Sequence, residues 1–257
     1  METAPEVATP FVTSRFEGWR LHEFEEIGST NTRAGSLPAW SAIRADIQTG
    51  GRGRTVDRKW VSDRGGLWLS AVLPCPGARA KWEILPVAAG WAIIGALREA
   101  GMPDLRLRWP NDIMLGHRKL AGLLVERYRN DTAVVGVGLN VLNHPEFEDP
   151  ALEGKTACLV DLMPEPCTVE STTRLVLRAL RRMHGLLLDD GFRSISDDLN
   201  HAWGQPRRVE VTLTGRAHHF EGLFQGIDQQ GRLRLATPRE GSRTYDASQV
   251  ALLRELE

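Results

Sequence analysis

Four short segments of this 257-residue chain carry residue types suited to phosphate or carboxylate chemistry. The first runs Ile47-Gln48-Thr49-Gly50-Gly51-Arg52-Gly53-Arg54 and continues to Arg58-Lys59-Trp60. Glycines let a backbone approach a ligand and free its N–H groups for an anion. Guanidinium groups between them match phosphate or carboxylate by paired hydrogen bonds. A nearby tryptophan could stack on a base. The same composition also describes a solvated basic loop. It is neither a Walker A loop, since no Gly-Lys-Ser/Thr follows, nor a dinucleotide fingerprint, since Gly-x-Gly-x-x-Gly is absent.

The second segment is Arg108-Trp109-Pro110-Asn111-Asp112, followed by Lys119-Leu120-Ala121-Gly122. Pro110 excludes a helix there. Asp112 could hold magnesium beside a phosphate, or Asn111 and Asp112 could form a plain turn. Lys119 opens an otherwise apolar strand; it is either a surface lysine with a buried stem or a charge aimed into a pocket. The third segment is Gly136-Val-Gly138-Leu-Asn140, where strand glycines mark either a close approach by a ligand or a bulge. Asn140 could offer an amide to a phosphate or ribose. The fourth, Ser29-Thr30-Asn31, also reads as a helix N-cap cluster.

Composition narrows the classes. The formal net charge is −1, so no global basic field points to nucleic acid. Cys75, Cys158 and Cys167 form no Cys-x-x-Cys pair, which suggests neither a disulfide framework nor a zinc site and fits a reducing cytoplasm. None of the seven histidines stands at a metal-ligand spacing with Cys or Glu. The first residues lack a signal-peptide pattern, and no apolar run approaches the roughly 20 residues that span a bilayer. No membrane partner is expected.

The elements that must position these segments follow from periodicity. Residues 1–15 read as a mobile tail. Gly65–Pro74 reads as a buried strand, Trp82–Ala100 as a helix closed by Gly101, and Leu105–Arg108 as a short strand. Lys119–Tyr128 and Ala133–Val141 read as strands joined by a turn at Asn130-Asp131. Val169–Leu188 is an amphipathic helix with Thr168 as N-cap, and a short helix covers Ser196–Trp203. From Arg207 onward, short strand-like runs alternate with turns, as in a small barrel or curled sheet. The expected order is an α+β domain over 16–204, then a β module over 205–257.

Taken together and in this order, the four segments resemble the biotin protein ligase family. Ser-Thr-Asn, Gln-x-x-Gly-Arg-Gly-Arg, Arg-Lys-Trp, Trp-Pro-Asn-Asp, Lys-Leu-Ala-Gly and Gly-x-Gly-x-Asn stand from Ser29 to Asn140, with a looser match to Arg254. The resemblance implies a mixed sheet flanked by helices, of the class II aminoacyl-tRNA synthetase and biotin ligase kind, and a C-terminal SH3-like barrel. It implies that biotin's carboxylate attacks the α-phosphate of ATP, and that a lysine of a biotin carboxyl carrier domain then attacks the adenylate. Lys119, with Arg52 and Arg54, would be catalytic. Ser29, Thr30, Asn31, Gln48, Gly51, Arg52, Lys119, Gly122 and Gly136 would bind biotin. Arg52, Arg54, Arg58, Trp60, Asn111, Lys119, Asn140 and Arg254 would bind ATP and the adenylate, with Trp60 on the adenine. Asp112 would place Mg2+. Many members form homodimers.

Two features depart from the family pattern. The link Thr55-Val56-Asp57 before Arg58 is one residue longer than usual, lacks glycine and adds a carboxylate beside a phosphate site. The catalytic domain also begins near Trp19, which leaves no room for the winged helix-turn-helix of repressor members, so no DNA binding is expected. A lipoate ligase or octanoyl transferase would share the catalytic fold, but its Arg-Arg-x-Ser-Gly-Gly-Gly run is absent. A non-catalytic biotin-binding relative would not require the charge at Lys119.

Overall fold

The computed structural model describes residues 10–55, 59–78, 82–102, 104–163, 165–189, 191–216, 218–238 and 241–256. These form an eight-stranded mixed sheet, four α-helices and a five-stranded antiparallel sheet. Chain order is β1 (Val12–Phe16), β2 (Trp19–Ile27), α1 (Thr30–Ala34), β3 (Ser41–Gln48), β4 (Leu67–Pro74), α2 (Leu85–Glu99), β5 (Leu105–Arg108), β6 (Asp112–Leu115), β7 (Arg118–Glu126) and β8 (Thr132–Leu139). It continues with α3 (Val169–Leu188), α4 (Phe192–Trp203), β9 (Arg207–Leu213), β10 (His219–Ile227), β11 (Leu233–Thr237), β12 (Gly241–Tyr245) and β13 (Val250–Glu255).

The large sheet has the order β1-β2-β3-β4-β8-β7-β6-β5, with β2 and β3 parallel and the other pairs antiparallel. β4 is apolar on both faces because both are covered, by α3 on one side and α1 on the other. α3 spans the range that its period predicts. Thr168 and Ser171 form a reciprocal capping box at its start, and Val176, Leu180, Met183 and Leu187 bury one stripe against the sheet and α2. Leu180 is fully buried. Leu180→Ala is expected to cost about 2–5 kcal/mol; a urea melt should show a lower midpoint at unchanged slope.

Three expectations need correction. Val12–Phe16 is not tail but an edge strand, paired residue by residue with β2. α4 begins at Phe192, four residues before the predicted Ser196, because Phe192 and Ile195 already face the core. The turn read at Asn111-Asp112 lies slightly earlier: Trp109–Asn111 close the β5–β6 hairpin, and Asp112 is already in β6, paired with Arg108.

The five-stranded sheet has the order β12-β11-β10-β9-β13. Its five described strands form an open sheet rather than a closed barrel, an arrangement compatible with an SH3-like domain. Two indoles fix it beside the large sheet. Trp203, at the end of α4, donates through Nε1 to Leu107 O at 2.6 Å and packs edge-on against Phe224 of β10, and Trp109 Nε1 donates to Gly231 O at 3.0 Å. Buried tryptophan gives area and a directed hydrogen bond at once. Trp109 of the Trp-Pro-Asn-Asp run is therefore a link between the two sheets. No helix among the described residues is long and apolar enough to cross a membrane.

Candidate functional site

The four segments converge on one cavity of about 670 Å³. Its floor is the face of β4, β8, β7 and β6 that carries Gly136, Gly138 and Gly122. Arg52–Thr55 and Lys59 line the side opposite the floor, and β13 closes one side with Ala251–Leu253. Among the described residues the lining carries six Arg or Lys side chains against two carboxylates, although the whole chain is nearly neutral. A concave, low-dielectric wall magnifies such an excess, so the cavity suits a polyanion.

Lys119 reaches this cavity through a β-bulge. Asp112 pairs with Gly122 and Ile113 with Ala121, but Met114 pairs with Lys119, so Leu120 is the extra residue. Cross-strand partners share a face, and side chains alternate along a strand. Without the bulge Lys119 would pair with Leu115 and point away. With it, Lys119 lies on the face of Asp112, Met114 and Gly122. The backbone at this point is also tied to the 155–157 segment, by Lys119 N to Lys155 O at 2.8 Å and Ala157 N to Lys119 O at 2.9 Å.

Lys119 Nζ lies 2.6 Å from Asp112 Oδ1 and 4.8 Å from the centre of the Trp60 ring. Arg108 Nη2 lies 2.7 Å from the other oxygen, Asp112 Oδ2. Burial would raise the Asp112 carboxyl, but the charges of Lys119 and Arg108 together outweigh it and hold the group below the usual carboxylate range. Asp112 was expected to hold magnesium. Both its oxygens are occupied by cations, so it does not fit as a free ligand for a divalent ion.

Trp60 lies inside the cavity against the floor. A Cβ on Gly138 would come within 2.6 Å of its indole, and one on Gly122 within 2.7 Å. Its Nε1 is buried with no partner among the described residues. Gly122→Val should push the indole and the Lys119 ammonium, 3.1 Å from the same added carbon, off the floor. We expect binding of an anionic ligand in the cavity to weaken at least ~10-fold with Tm little changed; calorimetric titration beside a thermal melt checks this.

A polar cluster closes the far end. Ser29 caps α1. Gln48 Oε1 accepts from Thr30 N and Oγ1 at 2.8 and 2.9 Å, and Gln48 Nε2 donates to Ser62 Oγ at 3.0 Å. Asn31 Nδ2 donates to Leu124 O and Glu126 Oε2, at 3.1 and 2.8 Å, while its Oδ1 accepts from Ser70 Oγ at 2.5 Å. Gly136 is needed here, since a Cβ would come within 2.3 Å of Asn31 Oδ1. Gly51 does not line the cavity; a Cβ there would strike Ser62 Oγ and Trp60 O, so it lets the loop fold back on itself.

The remaining predicted residues divide. Arg52 lines the cavity, with Nη2 within 3.2 Å of Thr32 Oγ1 and Tyr128 Oη and 3.1 Å from Glu126 Oε2. Arg54 lines it too, but its guanidinium also donates to Ala247 O and Ala251 O at 2.7 and 3.1 Å, joining the glycine loop to the C-terminal sheet. Asn111 and Asn140 form walls, and their amides hold main chain at Leu123 O and Ala157 O, at 2.7 and 3.1 Å. Arg254 does not line the cavity. It is exposed instead beside its β9 partner, 3.8 Å from Glu210 Oε1. Arg58, Val56 and Asp57 lie outside the described residues. Sequence reading missed Ser70, Glu126 and Tyr128. Ser70 left a trace, as the one hydroxyl in the apolar run Leu67–Pro74; Glu126 and Tyr128 at the far end of β7 left none.

The cavity is positively charged and lies over a glycine-notched mixed sheet, a setting suited to an anionic ligand. Residues 25–141 match the model of the biotin/lipoate A/B protein ligase family. The biotin–acetyl-CoA-carboxylase ligase of Mycobacterium tuberculosis is 32% identical over 230-odd residues, covering 84% of this chain and 83% of that protein. The one from Paracoccus denitrificans is also 32% identical, covering 86% and 96%. In structure, the biotin protein ligase from Aquifex aeolicus in complex with biotin and ATP superposes with a TM-score of 0.77 at 24% identity, over 94% of this chain and 100% of that one. The chain belongs to the biotin protein ligase family.

Proposed function

We propose that the protein is an ATP-dependent biotin protein ligase. The observation that carries this reading is Lys119, turned by a bulge onto a glycine-notched floor between an anion-attracting loop and a polar cluster. The polar cluster at Thr30, Asn31 and Gln48 receives the ureido head of biotin. The carboxylate then lies toward Lys119, and the triphosphate lies under the Arg52–Arg54 loop.

In the first step a carboxylate oxygen of biotin bonds to the α-phosphorus and the bond to pyrophosphate breaks. Two anions must be pressed together, so the enzyme supplies positive charge and alignment. Lys119 bridges the carboxylate and α-phosphate; Asp112 and the Trp60 face hold its ammonium in place. Trp60 turns toward the adenine as ATP enters, and Asn111 and Asn140 hold the walls. Arg54 couples loop closure to the C-terminal sheet through Ala247 and Ala251. Magnesium would enter on the nucleotide's own phosphates, since both Asp112 oxygens are already ion-paired. In the second step a carrier-domain lysine amine attacks the acyl carbon, AMP leaves, and the amine loses a proton. The carrier is a biotin carboxyl carrier domain.

Pyrophosphate release from Mg-ATP tests this reading. Release that depends on biotin, and not on lipoate or octanoate, is the expected result. Release with lipoate or octanoate but not biotin would overturn the substrate assignment.

A further inference from the structure

Behind the cavity wall, three chemically different donors converge. His144, Cys158 and Asp161 each place one ligand atom so that all three lie within 4.8 Å of one another. The ligand atoms come from two chain segments, one around His144 and the other Cys158-x-x-Asp161. Those segments already run together by backbone hydrogen bonds, from Leu159 N to Asn140 O at 3.1 Å and Val160 N to Val141 O at 2.9 Å. Two segments braced side by side, one giving His144 and the other Cys158 and Asp161, can bring their donors to one metal ion.

The distances fit. With bonds of about 2.0–2.3 Å, a tetrahedral zinc ion separates its ligands by roughly 3.3–3.8 Å. His144 Nδ1 lies 3.8 Å from Asp161 Oδ2. The other separations within the trio are at most 4.8 Å, so they close by up to roughly 1.5 Å on binding; Asp161, half exposed, can turn, and Cys158 Sγ gives up its proton and its hydrogen bond to Val141 O at 2.9 Å. Glu146 lies beside the trio, 3.5 Å from His144 Nδ1, with its other oxygen on Thr156 Oγ1 at 2.9 Å. One sulfur and one imidazole nitrogen select a zinc-class ion over magnesium or calcium.

We propose that His144, Cys158 and Asp161 bind one zinc-class divalent transition-metal ion, with the fourth position left to water. The site is distinct from the reaction cavity but shares its wall. Asn140, Pro145 and Thr156 line the cavity, and the metal would tie together the two segments that carry them. Its role is to brace this wall, and it holds whether or not the ligase reading does.

Cobalt provides the test. The full chain, stripped with chelator and titrated with Co2+, should develop a thiolate-to-cobalt charge-transfer band at one equivalent, and Zn2+ should abolish it. Cys158→Ser should lose the band, whereas Cys75→Ser and Cys167→Ser should keep it. Asp161→Asn, a half-exposed change with little reason to disturb folding, should weaken Co2+ binding at least ~10-fold with an unchanged circular dichroism spectrum. A wild-type chain without the band would overturn the site, as would a band that survives in Cys158→Ser or an unaltered affinity in Asp161→Asn.

Discussion

Lys119→Ala is expected to slow formation of biotinyl-adenylate by about 10²–10³-fold, the usual cost of removing one group that stabilises developing charge. Lys119 Nζ is held by Asp112 on one side and the Trp60 face on the other, so its position is set before substrate arrives. A preorganised cation loses little on reaching the transition state, and a flexible one would lose more. Folding should survive the substitution, because Asp112 keeps Arg108 at 2.7 Å. Acid-quenched single-turnover assays with labelled biotin and Mg-ATP measure the step directly. Adenylate formed at the wild-type rate in a folded Lys119→Ala protein would remove Lys119 from the chemistry.

The second large effect falls on stability. Asp112→Asn leaves Lys119 and Arg108 facing each other across a neutral amide. Breaking a buried pair typically costs 3–5 kcal/mol; with each cation about a quarter exposed, about 2–4 kcal/mol is expected at neutral pH. For a chain of this size that lowers Tm by roughly 5–15 °C. The effect carries a pH signature. The Asp112 carboxyl is held below its ordinary value, so its contribution is complete above about pH 4 and disappears as pH falls through the lowered value. Wild type and Asp112→Asn should therefore differ most near neutrality and converge in acid. Urea midpoints between pH 3 and 7 check this; a gap of constant size would mean that the stabilisation does not come from the carboxylate's charge.

How far the sequence reveals these arrangements varies with the physical signal. β4, α2, β5 and α3 are legible because burial on both faces, or on one helical stripe, writes a strong period. β2 and β3 are not. They carry Glu23, Glu25, Glu26, Arg44 and Asp46 among their apolar residues, and the charges are satisfied by ion pairs such as Arg44–Glu23 that no single segment displays. The cavity-lining residues Ser29, Thr30, Asn31, Gln48, Gly122 and Gly136 are legible as motifs. What they do locally is less so. The reason Lys119 faces inward is one extra residue in β7, and a bulge has no signature beyond the partner strand's register. Arg254 shows the reverse case, since a linear match carries no record of which face of β13 a residue takes.

The central claim is that this cavity makes a biotinyl-adenylate and passes it to a lysine. The most direct measurement is the intact mass of a biotin carboxyl carrier domain after incubation with the protein, biotin and Mg-ATP, with Lys119→Ala in parallel. The account predicts a gain of one biotin on the carrier, dependent on ATP and absent or strongly slowed with the variant. A carrier of unchanged mass with the wild-type protein, or equal gains with both proteins, would contradict it.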